Sequence, residues 1–316
     1  MAKKKLPQEV KVIQEHVVPT IDYASQKSIS YSQYSQYKNC KYQWYLNYPG
    51  NHRTYTPSIH TVFGTALHET VQDWLTVLYT AKVKDADEIN LAEVLLDKMR
   101  TIYKQERESV GEDFTTPEEL SEFWRDGIEI LSYLKRKRRE YFSTKNTYLV
   151  GVEIPIVQEL KSNVFFKGYI DLVFYNTLSE KYTIIDIKTS TKGWTKYQKK
   201  DDTKISQLLL YKEFFARQFN VPVDNIDVQY FIVKRKVPDD PEFPAMGRRV
   251  QEFAPPSGKI KRGQAITGIS EFVQESFSEE GGYNLLTAAY PPSPSKNNCR
   301  FCPFKDDQSL CSFAVS

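Results

Sequence analysis

Hydrophobic positions along the chain follow a helical period first, an alternating one next, and a helical one again. From residue 61 to 81, T-V-F-G-T-A-L-H-E-T-V-Q-D-W-L-T-V-L-Y-T-A sets Phe63, Leu67, Val71, Trp74 and Leu78 three and four residues apart, one stripe of a helix. A serine-led segment over 28–48 precedes it and reads as another helix, with serines placed to cap it. Two more helical stretches fill about 91–108 and 117–143. The pattern then changes to β-branched and aromatic runs at 147–158, 164–175 and 181–189. The short polar loop N-T-L-S-E separates the last two and predicts an antiparallel hairpin. A helix over 204–219 and a strand over 226–235 follow, so the core order is α-β-β-β-α-β with extra helices in front. Residues 236–263 are proline-rich and read as loop with at most one strand; a last helix near 264–277 leads into a cysteine-bearing tail. Residues 1–28 have little periodicity and read as a flexible arm. That leaves 29–316 as one composite α/β domain with its core at about 145–236.

Composition adds the class. The 316 residues are 40% hydrophobic and 26% charged, as in a globular protein able to bury a full core. No apolar run approaches the length of a membrane span, and no apolar stretch follows the N-terminal lysines, so the expected location is the cytoplasm. The net charge of +3 is modest, but basic clusters recur at 134–140, 191–200, 233–236 and 259–262, with Trp194 and Tyr197 among them. Lysines with aromatics suit a phosphate backbone and stackable bases, although any single cluster more often solvates a helix face.

The strand Y-T-I-I-D-I-K-T-S, residues 182–190, poses the chemical question. Asp186 and Lys188 are two apart among isoleucines and therefore share one face of the strand. Asp171, in G-Y-I-D-L-V on the preceding strand, converges with Asp186 if the two strands pair. Two carboxylates repel unless a positive charge sits between them, and a divalent metal with oxygen ligands supplies it. Such a metal generates a hydroxide nucleophile and neutralises charge on a phosphate, with Lys188 facing the phosphodiester.

The four cysteines make a second constellation. Cys299, Cys302 and Cys311 form C-x2-C-x8-C in the tail, and Cys40 is the one thiol left to complete a set of four. A cytoplasmic chain makes disulfides the poorer reading, and four thiolates suit either zinc or an iron–sulfur cluster.

Taken together, G-Y-I-D, D-I-K-T-S, F-G-T-A-L-H and Q-L-L-L-Y resemble the motifs of the PD-(D/E)xK nucleases, in their RecB-like exonuclease branch. The resemblance covers most of the chain; the family's first Pro-Asp is not literal, since Asp171 follows Ile170. It implies a restriction-endonuclease-like core with a mixed sheet, an N-terminal helical insertion and a C-terminal cysteine-cluster tail. It implies Mg2+ or Mn2+ held by His68, Asp171 and Asp186, with catalytic roles for Asp171, Asp186, Lys188, Gln207 and Tyr211. Glu153, on the first strand, is an additional acidic candidate. The cysteine pattern is similar to that of the iron–sulfur nucleases, including CRISPR-associated exonucleases, which implies a structural 4Fe-4S cluster on Cys40, Cys299, Cys302 and Cys311. The expected activity is metal-dependent cleavage at DNA ends, on single strands. The alternatives are a structure-specific endonuclease and a catalytically silent, zinc-stapled nucleic-acid-binding protein. No G-x-x-x-x-G-K-[ST] sequence is present, so the chain is not a helicase motor, while a helicase partner or an oligomer stays open.

Overall fold

A computed structural model of the chain describes residues 5–53, 55–240, 242–244 and 246–315. In chain order its elements are α1 (Gln8–Gln14), β1 (Lys27–Ile29), α2 (Tyr31–Asn39), α3 (Lys41–Asn47), α4 (Ile59–Thr80), α5 (Val83–Glu88), α6 (Leu91–Val110), α7 (Pro117–Arg136) and α8 (Arg138–Tyr141). Then come β2 (Thr147–Lys161), β3 (Val164–Asn176), β4 (Lys181–Ser190), α9 (Asp202–Phe219), β5 (Ile226–Lys234), β6 (Val250–Phe253), α10 (Lys259–Ser276) and α11 (Lys296–Cys299). The expected α-β-β-β-α-β order is present from the helices before β2 through β5.

The strands form a six-stranded mixed sheet in the order β1-β3-β4-β5-β6, with β2 also paired to β3. β2, β3 and β4 are antiparallel neighbours, and β5 lies parallel to β4. A parallel pair needs a crossover, which α9 supplies. Apolar side chains fill both faces. One core joins α9, α10 and the aromatics Tyr34, Tyr37 and Trp44 to the sheet; the other joins α4, α6 and α7 to it.

Two irregularities in this sheet shape the site. β3 pairs with β4 only from Asn176↔Lys181 to Leu172↔Ile185, whereas its opposite end, Val164–Phe166, pairs with β1. Between these contacts the sheet forks, and Asp171 and Asp186 are the first opposed residues beyond the last pair. Second, Glu153 has φ +49°, left-handed backbone in mid-strand, and the β2–β3 ladder skips from Val152↔Leu172 to Ile154↔Ile170 there. The alternation of β3 inverts at the same point. Phe166 and Ile170 share a core with Val173 and Tyr175, while Leu172 and Phe174 face the other.

Three expectations differ from the structure. Residues 1–4 of the expected arm lie outside the described residues, but the arm also contains α1, whose Val10 and Ile13 are buried against the sheet. Gln14 Nε2 donates to the Val150 carbonyl at 2.9 Å and Tyr182 Oη to that of Glu9 at 2.9 Å, so this part of the arm is tied down. A seven-residue helix has too few positions to display a period. The helix expected over 28–48 begins as strand β1 and is broken at Cys40, which is extended at φ −154°, ψ 108°. The one over 117–143 is interrupted at Lys137.

Candidate functional site

The long helix α4 opens on Ser58, whose hydroxyl accepts from the Thr61 amide, and its apolar stripe lies on the sheet. This aims His68 and Gln72, one turn apart, at the fork. Gln72 is 4% exposed, and its Nε2 donates to Glu153 Oε1 at 2.7 Å and to the Asp171 carbonyl at 3.1 Å. The same nitrogen lies 2.7 Å from His68 Nε2. An amide nitrogen carries two protons, so no more than two of the three contacts are hydrogen bonds at once. His68 Nε2 is 3.3 Å from Glu153 Oε1 and 3.6 Å from Asp171 Oδ2. Ligand atoms of His68, Glu153 and Asp171 all lie within 4.8 Å of one another.

Across the fork, Asp171 Oδ2 accepts from the Ile187 amide at 2.6 Å, replacing the ladder bond that the diverging strands no longer make. Asp186 is 2% exposed, and its Oδ2 pairs with the Lys188 ammonium, whose Nζ stands 2.8 Å away. The donor set of one imidazole and two carboxylates suits a divalent cation with oxygen ligands. His68, Glu153 and Asp171 are the side chains placed to share such an ion, whereas Asp186, expected among the ligands, lies outside that group and pairs with Lys188.

The electrostatics agree. Burial, and then the charge of Asp186, push the Asp171 carboxyl well above its ordinary range. Burial pulls His68 below its usual value, against the attraction of Glu153 and Asp186, which leaves the imidazole neutral and able to coordinate. Burial opposes the charge on Lys188, but Asp186 and Asp171 outweigh it and raise its ammonium above the ordinary value.

From α9, Gln207 and Tyr211 approach the other side of the fork. Tyr211 is buried beside Gly168 of β3, where an added Cβ would lie 2.9 Å from the ring, so the close approach needs glycine. Burial raises its phenol, with the neighbouring Gln207 pulling the other way.

The four cysteines are free thiols that line one small cavity, together with Tyr42, Leu46 and Phe304. The break in the helix at Cys40 turns that thiol toward the tail, where its sulfur accepts from the Ser293 amide at 3.4 Å. Asn298 Nδ2 bonds the Asn39 carbonyl at 2.8 Å and Tyr42 Oη the Leu310 carbonyl at 3.1 Å, fastening the tail to α2 and α3. The Cys302 thiol is raised by burial, with the three other thiols adding to the shift.

Two of the basic clusters are largely occupied. Arg235 and Lys236 pair with Asp126 at 2.7 and 2.9 Å, tying α7 to the end of β5. Lys261 pairs with Asp202 and Arg262 with Glu213. Sequence reasoning also passed over Gln72, although a glutamine one turn after His68 on an otherwise apolar stripe was the available signal.

Carboxylates, a histidine and a lysine at the opening of a mixed sheet make up a site suited to metal-assisted phosphodiester cleavage. The chain belongs to the PD-(D/E)XK nuclease superfamily, whose sequence profile matches residues 28–307. No curated protein matches the chain. Among the described residues, no helix is long and apolar enough to cross a membrane.

Proposed function

We propose that the chain is a Mg2+- or Mn2+-dependent deoxyribonuclease that degrades DNA from its ends, acting on single strands, within the RecB-like branch. The observation carrying this reading is the convergence of His68, Glu153 and Asp171, whose ligand atoms lie within 4.8 Å of one another next to the buried Asp186 and its partner Lys188. A divalent cation bound there lowers the pKa of water and neutralises charge on the phosphate. His68, Glu153, Asp171 and Asp186 hold it, and Gln72 fixes the orientation of Glu153. Lys188 keeps its proton, so it serves as a cationic donor to the phosphate and the attacking water rather than as a base. Gln207 and Tyr211 position the strand from α9. Cys40, Cys299, Cys302 and Cys311 hold a structural 4Fe-4S cluster; their shared cavity and the likeness to iron–sulfur nucleases support this.

End-labelled linear and circular DNA, each single- and double-stranded, incubated with anaerobically purified protein and Mg2+ or Mn2+, tests the activity. Loss of linear single strands with circles intact is the expected result. Opened circles would make the protein an endonuclease, and binding without cleavage a silent binder. A brown preparation containing iron is expected, and a colourless one containing zinc would replace the cluster assignment.

A further inference from the structure

A groove of about 940 Å³ starts at Lys188 and Thr189, which also line the acidic pocket of His68 and Glu153. It runs between α2, the start of α9 and the cysteine tail. Its walls are mainly neutral: Gln36, Asn39, Gln43 and Asn297 line it with amides, the Asn298 amide nitrogen is taken up by the Asn39 and Ser293 carbonyls, and Lys188, Lys204 and Asp201 are the charged groups among its described lining residues. Trp194 contributes an aromatic wall, packed on Tyr230 with ring centroids 4.7 Å apart. Phe301 lines the groove from the tail, 83% exposed, in the two-residue loop between Cys299 and Cys302. The guanidinium of Arg300 lies 5.1 Å from its ring centroid. A ring held out in water, beside a channel that opens onto the acidic site, offers a face to a flat partner.

We propose that this groove seats the single-stranded DNA adjoining the scissile phosphate and that Phe301 stacks on one of its bases, an inference that rests on the nuclease reading above. Stacking on a side chain needs an unpaired base, and every base has a face to offer, so the contact tolerates any sequence. Wall amides meet base edges, which are free in a single strand and engaged in a duplex.

The test is binding of fluorescent oligothymidylate and of a blunt duplex to the full chain without added divalent metal, for wild type, Phe301→Ala and Phe301→Trp. Phe301→Ala is expected to weaken single-strand binding by about tenfold or more. Phe301→Trp should bind at least as tightly as wild type, and duplex binding should change by less than about twofold in either variant. A single strand scanned with 2-aminopurine should be quenched at one position by wild type and Phe301→Trp but not by Phe301→Ala. Unchanged single-strand binding by Phe301→Ala, equal weakening by the tryptophan variant, equal loss on the duplex, or no quenched position with wild type would each overturn the proposal. Cleavage assays of the wild type separate the two readings. A protein that never cuts DNA sinks the nuclease reading, whereas normal cutting with no dependence on Phe301 sinks the groove alone.

Discussion

Lys188 is a half-buried cation kept charged by the two carboxylates beside it, and this pairing sets what single substitutions do. Asp186→Ala and Lys188→Ala should each lower cleavage by about a thousandfold or more, because on the proposed reading Asp186 helps to hold the metal and Lys188 donates to the phosphate. DNA affinity, set mostly by backbone contacts, should fall far less in a binding assay. His68→Ala should be milder, and excess Mn2+ should restore part of its activity. Asp171 carries a pH prediction. Its folded pKa is raised, by burial and then by Asp186, so the folded metal-free protein holds a proton that the unfolded chain releases. Its share of stability is therefore present at low pH and declines as pH rises through the raised pKa. Asp171→Asn keeps an acceptor for the Ile187 amide and removes the charge. It should raise the melting temperature of the metal-free protein near pH 8 by about 2–4 °C while abolishing cleavage. A melting temperature equal to or below wild type would contradict that electrostatic account.

At the scale of elements, the site exists because four of them are imperfect or closely fitted. β3 and β4 part company after Leu172↔Ile185, β2 is kinked at Glu153, and α4 brings Gln72 into the gap. A glutamate at φ +49° costs on the order of 1–3 kcal/mol and is kept where neighbours over-determine it. Glu153→Gly should therefore recover part of that cost in chemical denaturation while weakening divalent-metal binding. Gln72→Ala should loosen Glu153 without removing any metal-bearing side chain. Metal titration should show affinity down by about 10–100-fold, with cleavage recovering at saturating Mg2+. Cleavage that stayed low at saturating metal would give Gln72 a part in the reaction itself.

At the scale of the molecule, the tail and the first helices are held together by the cavity that all four thiols line. Closing a loop that spans most of the chain is entropically costly, and a group bound by all four thiols offsets that cost. Each single Cys→Ser variant should therefore lose its bound metal, measured by metal analysis and visible absorbance, and melt at a lower temperature. The four should resemble one another. Cys40→Ser is the informative one, since its place in the set depends on the fold. A Cys40→Ser protein with full metal content and unchanged melting would name a different fourth ligand. Because the carboxylates of the acidic site are separate from the thiols, fresh variants kept cold should retain some Mn2+-dependent cleavage.

How much of this was legible in the sequence depends on the range of the interactions responsible. Periodicity is local, so α4, α9 and the strands β2 to β5 were readable from side-chain spacing, and the loop N-T-L-S-E was enough for the β3–β4 hairpin. The D-x-K pair was readable for the same reason, since neighbours two apart on a strand share a face. Helix α1 was not, because its anchors, Val150 and Tyr182, lie far along the chain. The break at Cys40 was hidden by a run of good helix signals. Tertiary structure alone decided that Gln72 bridges His68, Glu153 and Asp171, and that Glu153 turns left-handed opposite Asp171. It also decided that Asp186 lies buried, with Lys188 as its partner and outside the group formed by His68, Glu153 and Asp171. Each of these arises where two strands and a helix diverge, and a one-dimensional pattern records which residues are near in sequence, not where a sheet opens.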